Sequence, residues 1–400
     1  MKFLFEDESM SMETLRTACF AAYGGADLGE VLVTARAIGD GDELAWRREW
    51  AATAARVHAL GDAALEAGHR VSAREALLRA SNYYRNAEFY LRDDPFNDPE
   101  AKELSELSRS TFATAAGLLD TPVEAVAIPY EDTTLPGYLF LVDDSGRPRP
   151  TVVFTSGFDS TLDEAYVAIA AAALRRGYNC LAYDGPGQGA ALRLQRLFFR
   201  HDWENVVTPV IDYALTRPEI DADRIALYGY SLGGFLVARA AAYEHRIAGL
   251  ILDGGLYDYH GFHLRAVPEF LSQWILDGRD ELAEPVARMM MAHNTSIRWA
   301  LRNGMWTFGA ASVCDYIRHT KPFTLEGIAD RITTPTLVFD PDQDMFQGEP
   351  ARVHQALRCP ATLITLHEAD GAGEHCAYGA RSTLHQHTFD WLDETLPTHP

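Results

Sequence analysis

Cysteine is scarce and scattered in this 400-residue chain. Its five thiols, Cys19, Cys180, Cys314, Cys359 and Cys376, form no C-x-x-C pair. That excludes the usual zinc and dithiol spacings and makes reduced thiols in a cytoplasmic protein the expectation. Positive charge is also short: 35 Lys and Arg against 57 Asp and Glu leave a formal net charge of -22. Nucleic acid and anionic membrane repel such a surface, so neither is expected as a partner. No apolar run is long enough to cross a bilayer. The opening MKFLFEDESM turns acidic after a three-residue apolar patch, without a signal-peptide core.

What is present suits a buried core, with hydrophobic residues at 47% and aromatics at 11%. Residues 1–120 read as helices throughout, with apolar residues three and four apart in METLRTACFAAYG, DELAWRREWAATAARVHALGDAALEAGH and VSAREALLRASNYYRNAEFYL. Ala80, Tyr83, Tyr84 and Tyr90 suggest helix-pair packing, but no fixed period marks a repeat array. After Pro122 the pattern becomes alternating. Strands are expected at 151–155, 179–184, 224–230, 247–254, 334–340 and 361–369, with helical stretches between most of them. Such alternation predicts an α/β fold, a mostly parallel central sheet with helices on both faces. Residues 121–255 and 331–400 would form this core. The interval 256–330, rich in Trp, Met and Phe, is far longer than a normal connection and reads as an inserted helical lid.

The segment YGYSLGG, residues 228–234, fits G-x-S-x-G. In that pattern a strand turns sharply into a helix and presents one serine in a strained position, and the bare glycines let the two elements approach. Ser231 is therefore the expected nucleophile. A serine hydroxyl needs a base, a group that orients the base, and donors for the oxyanion. His375, in HEADGAGEHCAYG, follows the last expected strand and precedes the final helix, which makes it the base. The acid comes from Asp340, Asp342 and Asp344 in LVFDPDQDMFQG; Asp344 is favoured by its place in the turn, with Asp342 the alternative. Backbone N–H groups of Leu232 and Phe158 are the expected oxyanion donors. Tyr230, Tyr257, Asp258 and His260 are candidate substrate contacts near the pocket mouth, and ordinary loop roles fit them equally well. His245, His385 and His387 read as unremarkable, the last two on a solvated face. YDGPGQGA lacks the lysine of a nucleotide-binding loop and reads as a structural turn. His260 and His263 share a metal-compatible spacing without a third ligand. No metal and no organic cofactor are expected.

Together GFDSTLDEA, YDGPGQG, GYSLGG and GEHC, preceded by a helical N-terminal region, resemble the α/β-hydrolase group of 2,6-dihydroxypseudooxynicotine hydrolase and the fungal polyketide chain-shortening hydrolases. The resemblance covers most of the chain and implies the α/β-hydrolase fold with an N-terminal helical region and a helical lid. It also implies Ser231, His375 and Asp344 as the catalytic residues and the Gly157-Phe158 loop as oxyanion donor. Ala190 departs from the acidic residue many relatives carry after GPGQG. The implied activity is cleavage of a carbon–carbon bond next to a ketone in a hydrophobic or aromatic small molecule of the 1,3-diketone or polyketide kind. The implied role of residues 1–120 is capping or dimerisation, with a homodimer expected. Carboxylesterase, thioesterase or acyltransferase chemistry would use the same triad, and a non-hydrolytic cyclase or lyase of secondary metabolism would use the same pocket without hydrolysis. A silent binding protein on this fold is the alternative of another class.

Overall fold

A computed structural model describes residues 2–396. Eight strands form one sheet: β1 (Val123–Tyr130), β2 (Thr133–Phe140), β3 (Arg149–Thr155), β4 (Asn179–Tyr183), β5 (Ile220–Tyr230), β6 (Gly249–Asp253), β7 (Thr336–Pro341) and β8 (Ala361–Leu366). Their spatial order is β1-β2-β4-β3-β5-β6-β7-β8. The β1–β2 hairpin joins antiparallel to β4, and every other neighbour is parallel. The sheet is thus mostly parallel, as expected for strands that read as continuous apolar runs.

Those runs bury both faces. Along β5, Ile225 and Leu227 enter one apolar core while Ala226, Tyr228 and Tyr230 enter the other. The same alternation holds for Leu250 and Leu252 against Ile251, and for Val338 against Leu337 and Phe339. Side chains of period two feed two helix layers, one on each side of the sheet.

Before the sheet come helices Glu8–Cys19, Leu28–Arg36, Glu43–Glu66, Arg70–Glu88 and Pro99–Ala116. Their own core is aromatic: Trp46, Trp50, Tyr83 and Tyr90 are buried together. Trp46 and Tyr90 meet edge to face with centroids 5.4 Å apart, a geometry that aligns ring edge with ring face. Between β6 and β7 lie five α-helices, Tyr259–Arg265, Glu269–Leu276, Asp280–His293, Thr295–Phe308 and Val313–His319. Leu271, Ile275, Phe308 and Ile317 bury these helices against the core that also holds Leu232 and Phe235. No helix among the described residues is long and apolar enough to cross a membrane.

One sequence expectation fails here. His385 is not on a solvated face: it is fully buried, its Nδ1 2.7 Å from the Tyr23 hydroxyl and its Nε2 2.9 Å from the Ala168 carbonyl. Burial, with the nearby Arg381 charge, pushes its pKa well below the ordinary value, so it is a neutral link between the N-terminal region and the last helix, Arg381–Thr395.

Candidate active site

Three loops at the carboxyl ends of β5, β7 and β8 meet at one point, the place where parallel α/β sheets present functional groups. Ser231 follows β5 with φ 58° and ψ -125°, outside the regions a non-glycine residue normally adopts. The strain persists because neighbouring backbone fixes it. The Ser231 N–H donates to the Asp253 carbonyl at 2.7 Å, and the strand and helix approach so closely that a Cβ on Gly229 would lie 2.3 Å from the Gly233 carbonyl oxygen. Gly157, from the loop after β3, is equally constrained: a Cβ there would lie 2.8 Å from the Ser231 Cβ.

The Ser231 hydroxyl is 2.7 Å from His375 Nε2, and His375 Nδ1 is 2.9 Å from both carboxylate oxygens of Asp344. A carboxylate only accepts, so Nδ1 carries the proton and Nε2 is left to accept from the serine. The Asp344 carboxylate, itself fully buried, is steadied by the Phe346 N–H at 3.0 Å. Burial works to lower the His375 pKa, but the charge and hydrogen bond of Asp344, with Asp253 and Asp159 farther off, outweigh it and hold the imidazole above its ordinary range. Asp342, the alternative acid, turns away to accept from the Glu368 N–H at 3.0 Å and to pair with His367 at 3.2 Å.

Leu232 opens the helix Leu232–Ala241, where the first N–H groups lack intrahelical acceptors and carry the positive end of the helix dipole. Phe158 lies in the loop that faces it across Gly157. That loop is clamped from two sides. Gln188, buried in the YDGPGQG turn, donates through Nε2 to the Ser156 carbonyl at 2.6 Å and to the Gly157 carbonyl at 3.4 Å, while its Oε1 accepts from the Gly185 N–H at 2.9 Å. Gly157 C=O and Phe158 N–H belong to one planar peptide and point oppositely, so a hold on the carbonyl aims the N–H. From the helix Thr295–Phe308, Asn303 donates to the Phe158 carbonyl at 3.1 Å and accepts from Arg92 at 2.9 Å.

Beneath the serine lies a buried network that sequence reasoning missed. Asp253, at the end of β6, pairs with Arg381 at 3.1 Å and accepts from the Tyr228 hydroxyl at 2.7 Å. Arg381 also donates to the Cys376 carbonyl at 2.8 Å, one residue beyond His375. The serine turn and the histidine loop are thereby tied to the same ion pair. The aspartate at the end of ILDG was the available signal; the arginine, in a helix that looked ordinary, offered none.

Ser231 and His375 open into a cavity of about 290 Å³. Phe158, Phe262, Leu271, Trp299 and Phe346 give it apolar walls, to which Met12 and Phe89 of the N-terminal region add, with Arg16 of the same region at a polar end. The expected substrate contacts lie elsewhere. Tyr230 is buried below the cavity floor, its hydroxyl donating at 2.8 Å to Tyr378, which does line the cavity. Asp258 caps the helix Tyr259–Arg265 through the Gly261 N–H at 2.9 Å, and the Tyr257 ring lies under the Arg352 guanidinium at 4.6 Å. His260 faces the Ile317 carbonyl and Thr320 hydroxyl at 3.1 and 3.0 Å. Its neighbour His263 lines the cavity instead, 2.9 Å from the Tyr316 hydroxyl, and burial pushes it down to about 3, so it is neutral. Among the described residues no group of three or more His, Cys, Asp or Glu is placed to hold a metal ion.

Two family models match the chain, the alpha/beta hydrolase family over residues 152–383 and the Esterase FrsA-like family over residues 32–254. The chain is 36% identical to 20-hydroxy-prefusarin hydrolase FUS2 of Gibberella moniliformis, over 98% of both chains. It is 34% identical to hydrolase acrC of Aspergillus aculeatus, over 98% of this chain and 97% of that one. Among solved structures it is similar to 2,6-dihydroxy-pseudo-oxynicotine hydrolase, with a TM-score of 0.75 at 21% identity over 95% of each chain. It is also similar to AbyA5, with a TM-score of 0.64 at 16% identity over 94% of each. At those identities the two structures speak to the fold.

Proposed function

The chain belongs to the α/β-hydrolase family and is a hydrolase, and from that premise we propose that it cleaves a carbon–carbon bond next to a ketone in an apolar small molecule, with Ser231 as nucleophile. The observation that carries this reading is the Ser231–His375–Asp344 hydrogen-bond chain opening on an apolar cavity. His375 Nε2 takes the serine proton as Oγ bonds to the ketone carbon. The oxygen of the resulting tetrahedral adduct becomes an alkoxide, received by the N–H groups of Leu232 and Phe158. Collapse re-forms the carbonyl and breaks the carbon–carbon bond, whose electron pair leaves as an enolate. The imidazolium, stabilised by Asp344, protonates that carbon and is left neutral. A water then loses a proton to His375, attacks the acyl-serine and releases a carboxylic acid with Ser231 restored.

The relatives support the substrate side of this reading. FUS2 is by name a hydrolase of 20-hydroxy-prefusarin, and a cavity whose walls are mainly aliphatic and aromatic side chains excludes water around an apolar chain or ring. A second reading, ester hydrolysis, is favoured by the match to the Esterase FrsA-like family. The two are separated by offering 1-phenyl-1,3-butanedione and p-nitrophenyl butyrate to wild type and Ser231→Ala. Diketone cleavage to benzoic acid and acetone, or acetic acid and acetophenone, that is lost in the variant supports the first reading. Fast ester turnover without diketone cleavage supports the second.

A further inference from the structure

The cavity is apolar except at one end, where the first helix meets the loop after β3. Apart from Ser231 and His375, its ionisable lining groups are Arg16, Asp159, Tyr259, His263 and Tyr378. Three of these are occupied and uncharged. The Tyr259 and Tyr316 hydroxyls are 2.8 Å apart, His263 reaches the same Tyr316 hydroxyl, and Tyr378 accepts from Tyr230. Arg16 is saturated at both terminal nitrogens: Nη1 donates to Asp159 at 2.6 Å and Glu13 at 3.4 Å, Nη2 to Glu164 at 2.6 Å and Ser160 at 3.2 Å.

Asp159 is different. Arg16 binds its Oδ2, and among the described residues no other group donates to this carboxylate. The neighbouring acids Glu13 and Glu164 are sealed at 1% and 4% exposure, whereas Asp159 keeps 14% and lines the cavity. Burial disfavours its ionised form, but the Arg16 charge outweighs that and holds the carboxyl below its ordinary range. Arg85 and Arg92 lie farther off and also favour the ionised form. Of the three carboxylates around Arg16, those of Glu13, Asp159 and Glu164, the one that faces the cavity is the one with an open acceptor. An apolar ligand that fills the cavity would strip water from this ionised acceptor, which is costly, and a ligand that brings a donor offsets that cost.

We infer that Asp159, held by Arg16, is the polar recognition point of the cavity and accepts a hydrogen bond from a hydroxyl group on an otherwise apolar substrate, one residue beyond the Phe158 oxyanion donor. This deepens the proposed function by assigning the substrate a hydroxyl, and it rests on that reading for the identity of the cavity as the substrate site. Arg16 acts through Asp159 and is a positioning residue. It also makes the N-terminal helix Glu8–Cys19 part of the site.

The test compares p-nitrophenyl octanoate with its 6-, 7- and 8-hydroxy derivatives on wild type, Asp159→Asn and Asp159→Ser. At least one hydroxy ester is expected to be preferred about tenfold or more in kcat/KM, through a lower KM, the scale of a hydrogen bond to a charged group. That preference should fall to near one in Asp159→Ser and weaken in Asp159→Asn, whose neutral amide makes the weaker bond, and in both the loss on the preferred hydroxy ester should exceed the loss on plain octanoate. No preference in wild type, a preference that survives both substitutions, or an equal loss on all four esters would each overturn the inference. The same esters titrated calorimetrically into Ser231→Ala read recognition without turnover. A hydroxyl preference in binding with no Ser231-dependent hydrolysis would uphold Asp159 and reject the hydrolytic reading instead.

Discussion

Replacing Gln188 by glutamate changes one atom and reverses one hydrogen bond. The side-chain Nε2 stands 2.6 Å from the Ser156 carbonyl oxygen, in a residue only 1% exposed. In Gln188→Glu an oxygen takes that place, and two acceptors face each other unless the carboxyl keeps its proton and donates through O–H. Unfolded, the same glutamate titrates near 4.3. The folded state then binds more protons than the unfolded state above that pH. Stability relative to wild type falls as pH rises, by about 1.4 kcal/mol per unit, until the folded-state pKa is reached or the loop yields. Between pH 5 and 8 the added penalty reaches about 4 kcal/mol at most. Gln188→Ala, which loses the same bonds without a titratable group, should be destabilised by about 1–3 kcal/mol for each carbonyl left unpaired, equally at both pH values. Urea unfolding of the three proteins at pH 5 and pH 8 reads these differences directly. If Gln188→Glu differs from wild type by the same amount at both pH values, the turn is not clamped as described.

Three further outcomes follow from the same contacts. The rate constant kcat/KM for an aryl ester should fall with decreasing pH through a pKa above 6.5, because the Asp344 charge raises His375 and the protonated imidazole cannot act as base. In Asp344→Asn that limb should move to lower pH and kcat should drop about 10⁴-fold, read from pH–rate profiles. Gly157→Ala would put a methyl group 2.8 Å from the Ser231 Cβ and 2.9 Å from the Tyr230 carbonyl oxygen; a soluble protein with kcat reduced about a hundredfold is expected, since small displacements at a reacting centre cost that much. Arg381→Met leaves the fully buried Asp253 without its cation and should lower unfolding stability by about 3–5 kcal/mol, measured by denaturant titration.

The parts legible in the sequence were those with a local pattern. Alternating apolar strands and helices gave the sheet. A strand running into glycine-flanked Ser231 and a glycine-rich loop before His375 located two residues that the fold brings within 2.7 Å. What could not be read depends on rotation about an element or on partners far along the chain. Tyr257, Asp258 and His260 do follow the end of β6, but the buried Glu349 carboxylate accepts from the Tyr257 and Asp258 N–H groups at 3.1 and 2.8 Å and turns that segment away from the cavity. Tyr230 precedes the serine, yet strand alternation sends it into the core and leaves Tyr378, 148 residues later, at the surface of the cavity. His385 appeared polar and exposed because its partners, Tyr23 and Ala168, lie 362 and 217 residues away. Arg16 and Asp159 were missed for the same reason: nothing local marks an ion pair that spans 143 residues.

The central claim, that Ser231 is a nucleophile activated by His375, is tested most directly by labelling with a fluorophosphonate probe followed by peptide mapping. The account predicts a single adduct on Ser231 in wild type, absent from Ser231→Ala and strongly slowed in His375→Ala. Absence of labelling at Ser231 in wild type, or labelling there at an unchanged rate without His375, would contradict it.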